Sequence, residues 1–426
     1  MPGFEYTAIS STGADRIRNY LSLAGETRQT KAGSFTTPAS SGNFSVTGVG
    51  FQPDALCIFG IESAAAFNQK ADGEQFHFGF ATSPAAQWGA SIYGIYLGSH
   101  GHSHPYKYSA LNTAIITICR VLTGDDPHPQ PVATEVGSLV SFNADGFTIN
   151  WDNTSQYTIV YFAMKGGNYA CGTATSGSGS QAITGLGFSP TAAMFGSVQR
   201  TTLTSAEGDH RLTIGTGDDL TDVNSWGGTE SSDVYHDIVA SDTAVMSMLR
   251  ETNAAGPFDP LLYTEASLQS LDADGFTLNW FASDGTGRRF GWFATDGQTD
   301  AGTWVYNHPT DTNFKRTDLK YIPKGIIFFG NDMGSTTRDY PSTAGYAMGF
   351  GVCDQDLTGQ YEAGWMVISP PAIGNNQISS RYLFSNQCIG SHRRRSSAFT
   401  APDTGRDEGR IVKFLPKRQQ QIIRYR

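Results

Sequence analysis

One segment of this 426-residue chain occurs twice almost unchanged. Residues 144–151 read Ala-Asp-Gly-Phe-Thr-Ile-Asn-Trp, and residues 273–280 read Ala-Asp-Gly-Phe-Thr-Leu-Asn-Trp. A Ser-Leu pair precedes both copies at the same distance, and an aromatic segment follows them, at residues 157–163 and 289–294. Repetition of this kind indicates that the chain is built from tandem structural units.

The start of the repeated unit can be recognised three times. In each copy a proline precedes an apolar segment, and a Gly-containing segment typical of a strand follows at a nearly constant distance. The copies begin at residues 48, 185 and 320. We therefore expect two complete units, at residues 34–167 and 168–297, and a divergent third unit at residues 298–388.

The third unit lacks the Asp-Gly-Phe-Thr segment. We expect Arg410–Leu415 to take the place of its missing end. Residues 1–33 and 389–426 lie outside the repeated pattern, and we assign them to an N-terminal arm and a basic C-terminal arm. A short helix is expected only at residues 15–23.

Composition favours strands over helices. Only 16% of the residues are charged, whereas 12% are aromatic and 49 residues are glycine. After each Asp-Gly, apolar and polar residues alternate with the period of two that is typical of a half-buried strand. Asp-Gly itself predicts a type I′ hairpin, with positive φ at both residues. The predicted fold is all-β, with tandem β-sandwiches of a jelly-roll-like kind.

The repeated motifs resemble the tandem β-sandwich repeats of tailed-bacteriophage virion proteins. In that family, Gly-Phe-x-Pro and an apolar strand are followed by Asn/Asp-Gly-Phe and a closing strand of the type Tyr-x-Tyr-x-Ala-Phe-Ala. The match covers residues 34–297 well and residues 320–350 in part. The resemblance implies a virion context, and its motifs describe a fold and its turns.

The five cysteines are expected to be free thiols. They are Cys57, Cys119, Cys171, Cys353 and Cys388. Their number is odd, no Cys-x-x-Cys spacing occurs, and Cys57 and Cys119 lie in apolar segments. The N-terminus shows no secretion signal, and the apolar runs are too short to span a membrane. These features predict a protein made in the reducing cytoplasm of a host cell.

No motif in the sequence predicts catalysis or a cofactor. Gly-x-Ser-x-Gly, the phosphate-binding GxxxxGK[ST] motif and a dinucleotide-binding fingerprint do not occur. The Asp-rich segments at residues 217–219 and 354–359 are typical of solvated turns, although the second faintly suggests a calcium loop without the distal Glu of an EF-hand. We predict a protein that is not an enzyme, with no catalytic, cofactor-binding or metal-ligating residues.

Three histidines are spaced by two residues, at His100, His102 and His104. On an extended strand they would share one face. The spacing resembles the His-x-His metal sites of some trimeric phage spikes, but those sites lie at a spike tip. An exposed polar loop is the favoured interpretation, and metal binding is the alternative.

Three tryptophans follow the Gly-containing strands at roughly corresponding positions: Trp88, Trp226 and Trp365. Because the position repeats, packing in a shared core is the favoured interpretation. A platform for stacking against sugars is the alternative, since exposed aromatic rings bind sugars in this way.

Charge is unevenly distributed along the chain. Residues 389–426 contain ten Lys and Arg against three Asp and Glu, while the net charge of the whole chain is −10. A disordered basic end and an arm that binds an acidic neighbouring subunit are both open interpretations. Nucleic-acid binding is less favoured, because the acidic body would repel phosphate.

The sequence therefore predicts a non-enzymatic structural protein of a tailed-phage virion, as a decoration, tail or fibre component. Its expected partners are other virion proteins and further copies of itself in a homo-oligomer, with no membrane partner. The alternative function is a carbohydrate- or receptor-binding tail protein for host attachment, whose partner would be a host surface glycan.

Overall fold

The computed structural model shows a chain made of strands and turns. It describes residues 3–8, 16–61, 67, 69–72, 74–97, 102–111, 113–121, 131–152, 156–200, 207–208, 210–219, 223–231, 235–241, 243–250, 261–283, 285–306, 313–331, 340–341, 346–357, 359–368, 378–385 and 410–415. These residues contain strands and no helix. The prediction of an all-β protein of the β-sandwich class is confirmed.

The described strands run in chain order from β1 to β32. The first thirteen are β1 (Gly3–Ala8), β2 (Arg16–Ala24), β3 (Gln29–Thr36), β4 (Gly42–Thr47), β5 (Ala55–Gly60), β6 (Gln69–Asp72), β7 (Glu74–Ser83), β8 (Ala86–Leu97), β9 (His102–Leu111), β10 (Ile116–Val121), β11 (Pro131–Asn143), β12 (Gly146–Trp151) and β13 (Thr158–Lys165). The next eleven are β14 (Tyr169–Thr175), β15 (Gly179–Thr184), β16 (Ala192–Arg200), β17 (Glu207–Gly208), β18 (His210–Gly217), β19 (Val223–Ser231), β20 (Tyr235–Ser241), β21 (Met246–Arg250), β22 (Leu261–Asp272), β23 (Gly275–Ala282) and β24 (Arg289–Thr295). The last eight are β25 (Gln298–Tyr306), β26 (Asn313–Arg316), β27 (Pro323–Asn331), β28 (Tyr340–Pro341), β29 (Tyr346–Cys353), β30 (Gln360–Ile368), β31 (Ile378–Ser385) and β32 (Arg410–Leu415).

Three large sheets each contain seven strands, and corresponding strands of the three units follow one another in the same order. Large sheet 1 is β3-β13-β5-β7-β8-β9-β17, large sheet 2 is β14-β24-β16-β18-β19-β20-β28, and large sheet 3 is β25-β2-β27-β29-β30-β31-β6. Each has its own small sheet: β10-β11-β12-β4, β21-β22-β23-β15 and β32-β1-β26 are small sheets 1, 2 and 3. The strand pairings are antiparallel throughout the described residues.

Central strands of the large sheets are buried on both faces. Along β13, Ile159, Tyr161 and Ala163 pack against small sheet 1. The alternate residues Val160 and Phe162 pack into a second core, which large sheets 1, 2 and 3 share. Strands buried on both faces need near-continuous apolar sequence, which explains the apolar segments that recur after each proline.

The prediction of an N-terminal arm at residues 1–33 is wrong. Strand β1 pairs with both β26 and β32, and β2 pairs with both β25 and β27. In strand order, β1 and β2 hold the places that β12 and β13 hold in sheets of the first unit. The start of the chain therefore supplies the strands that the third unit lacks.

The helix expected at residues 15–23 is likewise a strand, since β2 covers residues 16–24. Its position between two partner strands satisfies its backbone N–H and C=O groups through the sheet, so tertiary pairing decides its conformation. Arg410–Leu415 is a strand of small sheet 3, as expected, and lies at the place of β11 and β22. The rest of the basic C-terminal arm lies outside the described residues.

Each large sheet also takes one short strand from another unit, and the three exchanges form a closed ring. Strand β17 of the second unit pairs with β9, β28 of the third unit pairs with β20, and β6 of the first unit pairs with β31. Each large sheet thus ends in a strand from another unit. Because the three exchanges close on themselves, the ring ties the three units to one another.

Cysteines in the described residues are buried thiols. Cys57, Cys171 and Cys353 are free, which confirms the prediction for these three, and burial raises the pKa of Cys171 to about 12. The Cys119 side chain and Cys388 lie outside the described residues. We expect the same melting temperature with and without a reducing agent, measured by circular dichroism. A lower melting temperature on reduction would show that a disulfide stabilises the protein.

Candidate functional site

The two most repeated motifs of the sequence bind one another. The Asp145 carboxylate, in the hairpin between β11 and β12, accepts hydrogen bonds from the backbone N–H of Gly48 (3.0 Å) and Gly50 (2.6 Å). These hydrogen bonds lower the pKa of Asp145. Both glycines have positive φ, at 84° and 87°, so their N–H groups converge on one carboxylate.

The second unit repeats this arrangement. Asp274 accepts hydrogen bonds from the N–H of Gly185 (3.1 Å) and Gly187 (2.6 Å). Asp-Gly and Gly-x-Gly-Phe therefore occur together because one supplies the acceptor and the other the donors. The aspartates have a structural role as turn residues, and the contacts join each small-sheet hairpin to the loop that enters its large sheet.

The hairpins differ from the expected type I′ turn. Asn143 pairs with Gly146, so Ala144 and Asp145 are the two loop residues. Asp145 is not among the described residues with positive φ, whereas Gly146 has a φ of 148°. Of these two residues, only Gly146 has a backbone conformation that favours glycine.

A buried carboxylate joins the third unit to the first. Asp354, which follows β29, is fully buried and accepts hydrogen bonds from the N–H of Ala32 (3.3 Å) and Gly359 (3.2 Å). Lys31 lies 3.4 Å from the same carboxylate. The prediction of a solvated turn is therefore wrong at Asp354. The donors and the cation around its carboxylate argue against the calcium loop suggested by its spacing. The described residues contain no group of three or more potential metal ligands of the His, Cys, Asp and Glu types.

A second ionic contact joins the second unit to the third. The Lys320 ammonium lies 2.9 Å from Asp218 and 3.2 Å from Asp219, in the turn between β18 and β19. Burial raises the pKa of Asp218 to about 6, against the opposing effect of the nearby Lys320. Gly50 and Gly187 each lie three residues before the following proline, and Lys320 lies three residues before Pro323. Lys320 therefore takes the position of these glycines in the third unit. The divergent loop of the third unit therefore makes a contact between units.

Lowering the pH from 7 to 5 should stabilise the wild type relative to Asp218→Asn. A folded-state pKa near 6, above the ordinary value of 3.8, means that the folded state takes up a proton first as the pH falls. The relative gain should be about 1–2 kcal/mol, from urea unfolding at both pH values. Asp219→Asn, which changes the more exposed neighbour, is the matched control. If wild type and Asp218→Asn responded equally to pH, the raised pKa would be wrong.

Arg28 makes a further contact between units that the sequence did not reveal. Its guanidinium donates hydrogen bonds to the Tyr169 hydroxyl (3.0 Å) and Thr295 Oγ1 (3.1 Å), and lies 5.2 Å from the centre of the Tyr169 ring. The Asp296 carboxylate is 3.5 Å away. Arg28 thus fastens the turn between β2 and β3 to large sheet 2. A lone arginine near Gly25 carries no motif that would identify this role.

Part of the histidine segment is a paired strand, so the exposed loop favoured from the sequence is wrong for His102 and His104. His102 and His104 lie in β9, where the backbone pairs them with Leu97 and Ile95. Their side chains and the whole of His100 lie outside the described residues. Metal binding, the alternative interpretation, stays a prediction, as does the exposure of the three side chains.

Trp88 is a core residue. Its side chain is fully buried, and its indole N–H donates a hydrogen bond to the Trp292 carbonyl oxygen at 3.0 Å. A Cβ atom at Gly291 would lie only 2.3 Å from the Trp88 ring, so the ring packs directly on the backbone of the second unit. This placement confirms core packing at Trp88. The side chains of Trp226 and Trp365 lie outside the described residues.

In the described part of the chain, the structure contains no helix long and apolar enough to cross a membrane. A scan against protein-family models and a search of curated proteins each found no match to this chain.

Proposed function

We propose that this protein is a non-enzymatic structural component of a tailed-phage particle, which assembles with other virion proteins and with copies of itself. The observation that carries the proposal is the closed ring of exchanged strands around one shared core. A ring of this kind resists separation of its units, because moving any unit breaks both sheet pairing and buried apolar contacts. Resistance to mechanical separation is what a particle component needs.

The polar contacts identified above support the same function. Asp145, Asp354, Lys320 and Arg28 each join loops or units of this chain. Their partners are backbone amides, carboxylates, hydroxyls and an aromatic ring of the protein itself. The chemistry of these residues is therefore used to hold the fold together.

The proposal is tested by locating the chain in particles. Antibody-gold labelling of purified particles should place it at regular positions, and quantitative mass spectrometry should give a fixed copy number for each particle. Absence of the chain from purified particles would contradict the proposal.

The basic C-terminal residues give a second test. Because β32 ends at Leu415, deleting residues 416–426 leaves small sheet 3 intact. If these residues bind an acidic neighbour, the truncated chain should self-associate more weakly in sedimentation experiments. Raising the salt concentration should weaken wild-type association, since exposed charge pairs are screened within about 8–10 Å. Unchanged assembly of the truncated chain at every salt concentration would contradict a docking role.

Host attachment through a surface glycan is the second candidate function. One observation favours it: β8 and β19 end, and β9 and β20 begin, at the end of their sheets opposite the Asp-Gly hairpins. Loops grouped at one end of a rigid scaffold commonly serve recognition. Binding of host polysaccharide without cleavage would support a role in attachment. Cleavage of the polysaccharide would indicate an enzyme. Absence of binding would contradict attachment and favour the structural role.

A further inference from the structure

The interiors of the first and second units can be compared position by position. A Cβ atom at Gly79 would lie 2.0 Å from the Ile115 carbonyl oxygen, and one at Gly215 would lie 2.0 Å from that of Val245. The segments that begin β10 and β21 therefore press on the large sheets at the same place in both units. Residue positions in the two units can therefore be matched by counting from Gly79 in the first unit and from Gly215 in the second.

In the second unit, the polar groups near this place bind one another. Thr213, two residues before Gly215, donates a hydrogen bond to the Ser247 carbonyl oxygen at 2.7 Å. The Ser247 hydroxyl lies 2.7 Å from that of Ser225 and donates to Glu265 at 3.2 Å. The hydroxyl-bearing residues Thr213, Ser225 and Ser247 are fully buried. Burial of these groups is therefore compensated by hydrogen bonds within the protein.

The first unit places a different set of polar side chains at this position. We name Gln75, His77, Ser91 and Thr117 the inner polar cluster. His77 is two residues before Gly79 and pairs directly with Ser91 across β7 and β8. Thr117 lies two residues after Ile115, as Ser247 lies two residues after Val245. All four residues are at most 1% exposed.

The side-chain polar atoms of this cluster have no hydrogen-bond partner in the described part of the chain. They are both amide atoms of Gln75, both ring nitrogens of His77, and the hydroxyl oxygens of Ser91 and Thr117. Buried polar atoms are nearly always hydrogen-bonded to protein or to ordered water. The contrast with the second unit shows that the fold itself does not prevent such bonding.

The chemistry of the cluster determines what can bind it. An amide and two hydroxyls both donate and accept hydrogen bonds. Burial lowers the pKa of His77 to about 3, so its ring is neutral at ordinary pH and also has one donor and one acceptor. The matching ligand is neutral, donates and accepts hydrogen bonds, and is small enough to be enclosed.

We propose that the inner polar cluster is a binding site for internal water, in which enclosed water molecules bridge His77, Ser91, Thr117 and Gln75. Water is the smallest molecule with the required donors and acceptors, and buried water commonly makes about three hydrogen bonds to such groups. Glu135 on β11 pairs with Ile118, the residue after Thr117, and is also fully buried. A metal ion is therefore the competing occupant to test.

A crystal structure of the full chain, at a resolution that shows ordered water, tests the site. Density is expected within hydrogen-bond distance of His77 and of a hydroxyl of Ser91 or Thr117. The equivalent place between Thr213 and Ser247 is an internal control, where the protein groups bind directly. The double variant Ser91→Ala, Thr117→Val should lose the density beside these residues, and the wild-type crystal decides the question even if the variant does not fold.

Two results would overturn the proposal. One is a wild-type crystal in which the four side chains bind protein atoms and no density lies between them. The other is an anomalous-scattering peak from zinc at the cluster of a soaked crystal, with the metal ion bound to His77 in place of the expected water. Long-lived internal water detected by magnetic relaxation dispersion, and reduced in the double variant, would support the proposal in solution.

Discussion

Deleting residues 1–24 should prevent the third unit from folding and should destabilise the whole ring. The deletion removes β1 from small sheet 3 and β2 from between β25 and β27. It also removes Tyr20, Leu21 and Leu23, which are at most 1% exposed. Their burial contributes about 1.5–3 kcal/mol each, and a whole domain is stable by only about 5–15 kcal/mol. Thermal unfolding followed by circular dichroism should show a large loss of cooperative signal.

Limited proteolysis locates the damage. Cleavage should begin within residues 298–385, whose strands lose their central partner. A chain lacking residues 416–426 is the matched control, because its described strands are all retained. Adding a peptide of residues 1–24 should restore protection. A deletion variant that melts like the wild type would show that these residues form a dispensable arm after all.

Replacing Gly146 or Gly275 by valine should destabilise the protein by about 3 kcal/mol or more. Their φ angles are 148° and 154°, and strained backbone at positive φ alone costs about 1–3 kcal/mol. A Cβ atom would also lie 2.0 Å from the Val46 carbonyl oxygen at Gly146, and 1.9 Å from that of Ile183 at Gly275. The backbone of β4 or β15 would have to move away. Urea unfolding measures the loss.

Gly179→Val is the control that separates the two causes. Gly179 has positive φ, at 65°, but its Cβ atom would have no atom within 4 Å. This variant should therefore show only the conformational cost, and a smaller loss than either valine variant. Equal losses at Gly179 and Gly146 would show that the close approach of β4 contributes nothing. Unchanged stability of both valine variants would contradict the hairpin geometry.

The candidate site could be predicted only in part. The sequence predicted solvated turns at the Asp-rich segments, but Asp354 is fully buried, and backbone donors and Lys31 surround its carboxylate. It could not indicate that Asp145 binds Gly48 and Gly50, because these residues are far apart in the chain and a motif does not specify its partner. Arg28 and the inner polar cluster carry no recurring pattern, since their significance comes from burial and neighbours.

The N-terminus shows why part of the fold escaped prediction. Gly3-Phe4 at the start of β1 matches Gly146-Phe147 at the start of β12. Tyr20 in β2 matches Tyr161 in β13, and a glycine follows each tyrosine after five residues. These signals are short, and they lie at the opposite end of the chain from the unit they complete. A search for tandem repeats expects each unit to be continuous, and therefore treats them as an arm.

The sequence by itself determined the class of structure and its local parts: strands with a period of two, hairpins at Asp-Gly, and apolar strands after each proline. These depend on backbone conformation and on the alternation of faces, which neighbouring residues specify. The tertiary structure alone decided that β1 and β2 close the third unit, that each large sheet takes a strand from another unit, and that Trp88 packs on Gly291. Such contacts join residues far apart in the chain. They form because the strand edges of the three units pair with one another and their apolar faces are buried in one shared core.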